Sequence, residues 1–185
     1  MSRKTESSFH DKQMALCGMT AAVSLLLMLL TAVFPVMSYG LPALCGVLTT
    51  MIVIECSDKM ALTMYGAVSI LSLLLLPSKE SAVVYLLLFG WYPVAKRRIE
   101  MLRRPVLEWV IKMISMIIPV GIGSAAAVAV LGFEGFFGTD MTGWMIPLFY
   151  LAVAAAFVIY DIALTRLISA YLSYIRPKFL SKLLK

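Results

Sequence analysis

Apolar stretches wide enough to cross a bilayer, separated by short polar turns, restrict this chain more than any other feature. Runs such as VSLLLMLLTAVF and LSLLLLP are apolar on every helical face, so no side of such a helix is left for water. Of 185 residues, 62% are apolar and 14% charged, and the mean hydropathy is +0.95. A soluble domain of this length would need polar surface that the sequence does not contain, whereas lipid asks for none. Backbone N–H and C=O groups in a bilayer must be paired internally, and the short alternating stretches of a β-barrel are missing. The expected fold is an all-α integral membrane protein, multi-pass in the cell membrane.

Breaks in the apolar pattern place six spans near 14–37, 41–56, 60–76, 82–95, 106–131 and 145–172. The first ends at FPVMSYGLP, where Pro35, Gly40 and Pro42 reverse the chain. ECSDK (55–59) and PSKES (77–81) make the next two turns, and GFEGFFGTDMTGW (132–144) joins the last two spans. Spans two and four are short and would thin the bilayer or run on into polar helix. The N-terminal MSRKTESSFHDKQ leads into a stretch of roughly 20 apolar residues with no A-x-A cleavage site, which reads as a retained first span. No fixed repeat appears, so one six-helix domain is expected over 1–185, with a basic interfacial tail at 173–185.

Lys and Arg gather in cytoplasmic loops, and this tests the count. Arg3, Lys4 and Lys12 lie at the N-terminus, Lys96, Arg97, Arg98, Arg103 and Arg104 between spans four and five, and Arg176, Lys178, Lys182 and Lys185 in the tail. These three groups share a side only if even numbers of spans separate them, which six spans satisfy. Both termini are then cytoplasmic. The net charge of +6 reflects topology and contact with anionic membrane lipid, not nucleic-acid binding.

Ionisable residues inside spans call for a role. Asp161 lies 17 residues past the interfacial Trp144, roughly 25 Å along a helix, and so near the cytoplasmic edge. It either fixes the register of span six between helices or takes part in subunit docking or coupling; Arg166 falls in the inner headgroup zone. Glu108 and Lys112 are spaced for a helical i,i+4 pair. In the first span, Cys17, Gly18, Ala21 and Ala22 repeat at four-residue spacing and make a smooth strip, for another chain's helix or for this protein's own. The cysteines Cys17, Cys45 and Cys56 have no metal-ligand spacing and read as packing residues.

Catalytic arrangements are missing. The lone histidine, His10, lies in the polar N-terminal segment, and neither H-E-x-x-H, G-x-S-x-G with a partner base, nor a phosphate loop occurs. No enzyme activity, metal or cofactor is expected, and any ATPase that drives this protein would be another chain. Pro119, Gly121 and Gly123 form the one candidate helix break of the kind ion-coupled carriers use. On the outer side, Lys79 and Glu80, with Glu134, Phe136, Phe137, Asp140 and Trp144, supply acids, rings and flexible glycines that could close over a small solute.

In layout the chain resembles the S components of energy-coupling factor transporters, six-helix proteins of this length with both termini cytoplasmic. The resemblance implies docking of a transmembrane T subunit by a small-residue motif on the first helix, at Gly18 and Ala22 with Cys17 and Ala21 beside them. Two ATPase subunits would supply the energy. It also implies capture of a vitamin-like micronutrient under the outer loops, by topology 38–40, 77–81 and 133–143, which adds Tyr39 to the solute candidates. The expected function is the substrate-binding subunit of an ATP-driven importer. A non-transport scaffold or assembly protein would instead work through its basic loop AKRRIEMLRR. A small ion-coupled carrier would need a polar path across the midplane.

Overall fold

A computed structural model describes residues 2–77, 79–102, 104–131 and 143–175. Every element among them is helical: α1 (Ser2–Leu30), α2 (Gly40–Glu55), α3 (Asp58–Leu75), α4 (Lys79–Val84), α5 (Tyr92–Glu100), α6 (Pro105–Leu131) and α7 (Met145–Ala170). Four helices are long and apolar enough to cross a membrane, over Asp11–Leu30, Asp58–Leu75, Val106–Ala129 and Met145–Ser173, and α2 is a shorter apolar helix. The chain forms two compact units, 1–130 and 131–185.

The ends of the helices follow from local chemistry. Helix α1 stops at Leu30 rather than running on to 37, because Pro35 has no N–H to give and its ring would collide with the carbonyl one turn back. The last turn tightens instead, with Thr31, Ala32 and Val33 amides on the carbonyls three residues earlier, and a 3-10 turn follows at Pro35–Met37. Helix α3 starts on a capping serine: Ser57 is extended and its Oγ accepts from the Met60 amide at 3.4 Å. Asp58 adds a negative charge to that first turn.

Span four is not one helix. Helix α4 gives way to a π-helical turn at Tyr85–Phe89, in which the Gly90 amide reaches back five residues to the Tyr85 carbonyl at 2.8 Å. Such a turn leaves carbonyls without their helical donors. Side chains fill the gap: the Tyr65 hydroxyl donates to Leu86 O at 2.9 Å and the Trp91 indole to Leu87 O at 2.8 Å. Only glycine fits at position 90, where a Cβ would lie 2.6 Å from Tyr65 Cε2 and 3.0 Å from Tyr85 Cζ. The segment then continues as α5, which carries Arg97 and Arg98 in its last turn.

In the first unit, α1 packs on α2 and α3, and α2 packs on α3, α5 and the π-helical turn. Met28, Cys45, Ile52, Met64, Val68 and Tyr85 form the centre of that core. In the second unit α7 buries Phe157, Asp161 and Leu164 at helical spacing, on one narrow face of an apolar helix whose other residues are half-buried or exposed.

Candidate solute site and docking face

Helix α1 divides the small-residue strip into two edges. Cys17 and Ala21 turn inward: the Cys17 thiol donates to Met60 O at 3.6 Å, and both residues pack against the core. Gly18 and Ala22 face outward and are exposed, and a Cβ placed on Gly18 would meet nothing within 4 Å. Half the strip is therefore packing within this chain, and half is a smooth free face.

At one end of the first unit three segments meet. Gln13 Nε2 donates to the Glu55 carbonyl at 3.3 Å, which fixes the start of the α1 span to the α2–α3 turn. Asp58 from that turn pairs with Arg97 at 2.9 Å and Arg98 at 3.4 Å. Arg97 Nη1 also donates to Val53 O at 2.9 Å, serving one of the carbonyls that the end of α2 leaves open. Cys56 lies in this turn, and burial pushes its thiol above the ordinary range, with the nearby Cys17 and Glu55 adding to the effect.

A second charge cluster joins α5 to α6. Glu100 Oε1 accepts from Lys96 at 3.0 Å and from Lys112 at 3.2 Å, and both lysines are buried. The i,i+4 pair expected between Glu108 and Lys112 is not formed among the described residues. Lys112 is drawn back to Glu100, whose carboxylate also holds Lys96, while its Nζ sits 5.9 Å from the Trp109 ring centre.

The outer-loop candidates are dispersed. Tyr39 precedes α2 and is exposed, with no capping hydrogen bond from its side chain. Lys79 donates to Leu73 O at 2.6 Å, a local lock on the end of α3, and Glu80 is exposed beside it. Trp144 is exposed at the start of α7. Glu134, Phe136, Phe137 and Asp140 lie outside the described residues. Asp161 is 4% exposed, and its backbone carbonyl accepts from Thr165 Oγ1 at 2.9 Å. Arg166 is exposed, and five residues' rotation turns it about 140° from Asp161 around α7.

What sequence reasoning missed is a layer of buried hydroxyls inside α2, α3 and α4. Thr49 Oγ1 donates to Cys45 O at 3.0 Å and lies 3.3 Å from the Tyr85 hydroxyl. The single Thr49 proton is thus committed, and Tyr85 must be the donor of that pair. The Tyr65 and Tyr85 rings pack at 6.1 Å. One turn from each tyrosine, toward the turn that joins α3 to α4, stand Ser69 and Ser81. They are 3% and 0% exposed; Ser69 shares a side-chain contact with the Tyr65 hydroxyl one turn away, and the Ser81 Oγ has no hydrogen-bond partner among the described residues. Single hydroxyls inside apolar runs gave no signal, because Ser and Thr in spanning helices ordinarily bond back to their own carbonyls, as Thr20, Ser24 and Thr50 do here. No metal-holding group of His, Cys, Asp or Glu occurs among the described residues. No protein-family model, curated protein or solved structure matches the chain.

Proposed function

We propose that this chain is the membrane-embedded capture subunit of an ATP-driven micronutrient importer, energised by a separate T subunit and two ATPases. The reading follows the energy-coupling factor transporters that its layout resembles. One observation carries it: Gly18 and Ala22 leave an outward, unobstructed small-residue face on α1, while their neighbours Cys17 and Ala21 are spent on internal packing. Small residues let helix backbones approach closely in lipid, where association depends on packing and not on a hydrophobic force.

Six spans in the cell membrane with cytoplasmic termini fit the same reading. The segments supplying them are α1, α2, α3, α4 with α5, α6 and α7. Helix α2 has 16 residues, about 24 Å of helix, and would be matched by local thinning of the bilayer. Gln13 touches the α2–α3 turn and that turn touches the basic end of α5, which supports reading all three on one side of the membrane. That is the side on which the basic residues would be cytoplasmic. Asp58 already engages Arg97 and Arg98, which weakens the basic loop as a free working surface and counts against the scaffold alternative.

The test is purification of the tagged chain from its native membranes in mild detergent, with mass spectrometry of the co-purifying chains. A T-type membrane subunit together with two ATPases is the expected result. Abundant, folded protein recovered without them would refute the proposal.

A further inference from the structure

We infer that Asp11 opens the α1 docking face and selects a partner helix that brings a lysine or arginine to its level, beside small residues of its own. This rests on the capture-subunit reading above and specifies what the partner must present.

Helix geometry puts the acid in line with the small residues. At about 100° per residue, Asp11, Ala15, Gly18 and Ala22 fall within one arc of about 60°, and all four are exposed. Met14 and Met19, 56% and 62% exposed, stand as ridges on either side of that strip. The opposite side of α1 makes the contacts within the chain: Gln13 Nε2 donates to Glu55 O at 3.3 Å, the Cys56 thiol reaches Gln13 O, and Ser24 and Met28 are buried. Gln13 is two residues from Asp11, so these contacts fix the rotation of α1 where Asp11 faces out.

The carboxylate is unused within the chain. Asp11 makes no side-chain ion pair or hydrogen bond among the described residues. Its helical neighbours three and four residues away are Ser7, Ser8, Met14 and Ala15, none of them a base. Lys12 is adjacent in sequence and turned about 100° away.

Docking gives that charge a consequence. Asp11 begins the apolar stretch Asp11–Leu30, so a helix lying along Gly18 and Ala22 also covers Asp11 and takes it out of water. A covered carboxylate without a counter-charge is strongly unfavourable, and the docking helix must therefore supply a cation. Lys and Arg suit the position, since their stems lie along apolar surface while the charge stays near the headgroups. The same acid rejects a second copy of this chain. Two copies share one orientation in the membrane, and a two-fold pair through this face would set Asp11 against its own counterpart.

The experiment uses the full tagged chain with a photoreactive amino acid in place of Met14, one turn from Asp11, irradiated in native membranes; crosslinked peptides are identified by mass spectrometry. The parent, Asp11→Asn and Asp11→Lys are then purified in mild detergent at low and high salt, and the crosslinked partner is quantified. The crosslink should fall on a spanning helix of another chain, with a lysine or arginine within one turn. Asp11→Asn should recover roughly tenfold less of that chain, and Asp11→Lys less still. Salt should narrow the gap between parent and Asp11→Asn, and glutamate in place of the partner's base should restore binding to Asp11→Lys. Asp11→Asn should keep the parent's unfolding midpoint, because the carboxylate touches nothing within this chain. A crosslink to a second copy, no base within a turn of the crosslink, equal recovery by parent and Asp11→Asn, no restoration by charge reversal, or a lower midpoint for Asp11→Asn would each overturn it. T and ATPase chains recovered equally with parent and Asp11→Asn would sink this inference and leave the importer reading standing. A base-bearing partner lost from Asp11→Asn, in the absence of ATPases, would support the docking chemistry and sink the importer reading.

Discussion

The Tyr65 hydroxyl donates to the backbone carbonyl of Leu86 at 2.9 Å, closing the gap that the π-helical turn opens in the fourth span. Helix α3 thereby completes the hydrogen bonding of the segment beside it. Tyr65→Phe keeps the ring and removes only the donor, leaving Leu86 O unpaired. The expected loss is about 1–3 kcal/mol of stability, read as a lower unfolding midpoint in detergent. An unchanged midpoint would mean that water or a local rearrangement serves Leu86 equally well.

Arg97 and Arg98 share Asp58, but only Arg97 also serves the Val53 carbonyl. Their side chains are substantially exposed, so the ion pairs alone are worth little, on the order of 0–1 kcal/mol. Arg97→Gln should therefore destabilise more than Arg98→Gln, by about 1 kcal/mol for the extra bond. Denaturation of the two variants at low and high salt checks this: salt should shrink the ion-pair contribution and leave the difference due to Val53. Equal losses would contradict the assignment.

Several features of this structure are legible in the sequence and others are not. The turns at ECSDK and PSKES, and the long helices at 106–131 and 145–170, follow from apolar length and punctuation alone. The end of α1 is not legible in hydropathy, because Val33, Phe34 and Val36 keep the sequence apolar while Pro35 breaks the hydrogen bonding. The π-helical turn has no compositional mark at all; YLLLF reads as ordinary helix, and what accommodates it is Gly90 and Trp91 just beyond it together with Tyr65 from the preceding helix. The same limit applies to the charges. Glu108 and Lys112 have good helical spacing, yet Glu100, twelve residues away from Lys112, takes it across the junction where α5 ends and α6 begins. For the α1 strip, periodicity gave four small residues, and only packing separates inward Cys17 and Ala21 from outward Gly18 and Ala22.

Cys56 reports the sidedness of the α2–α3 turn. In a chain carrying Cys17→Ala and Cys45→Ala, a membrane-impermeant maleimide should label Cys56 in inside-out vesicles and not from outside intact cells. Because burial raises this thiol's pKa, less of it is thiolate at neutral pH, so labelling should be slow there and quicken as the pH rises past the usual thiol range. Labelling from the outside would reverse the topology.

The most direct test of the central claim compares the tagged chain with its Gly18→Leu variant, both recovered from native membranes in mild detergent. Leucine at position 18 meets open space within this chain, so the fold should survive and only an approaching helix should be blocked. The account predicts a T-type subunit and two ATPases with the parent chain and roughly tenfold less of them with the variant, a difference of about 1.4 kcal/mol in docking. Inward-facing Cys17→Ser should retain them. Equal recovery by parent and Gly18→Leu, or no such partners with either, would contradict it.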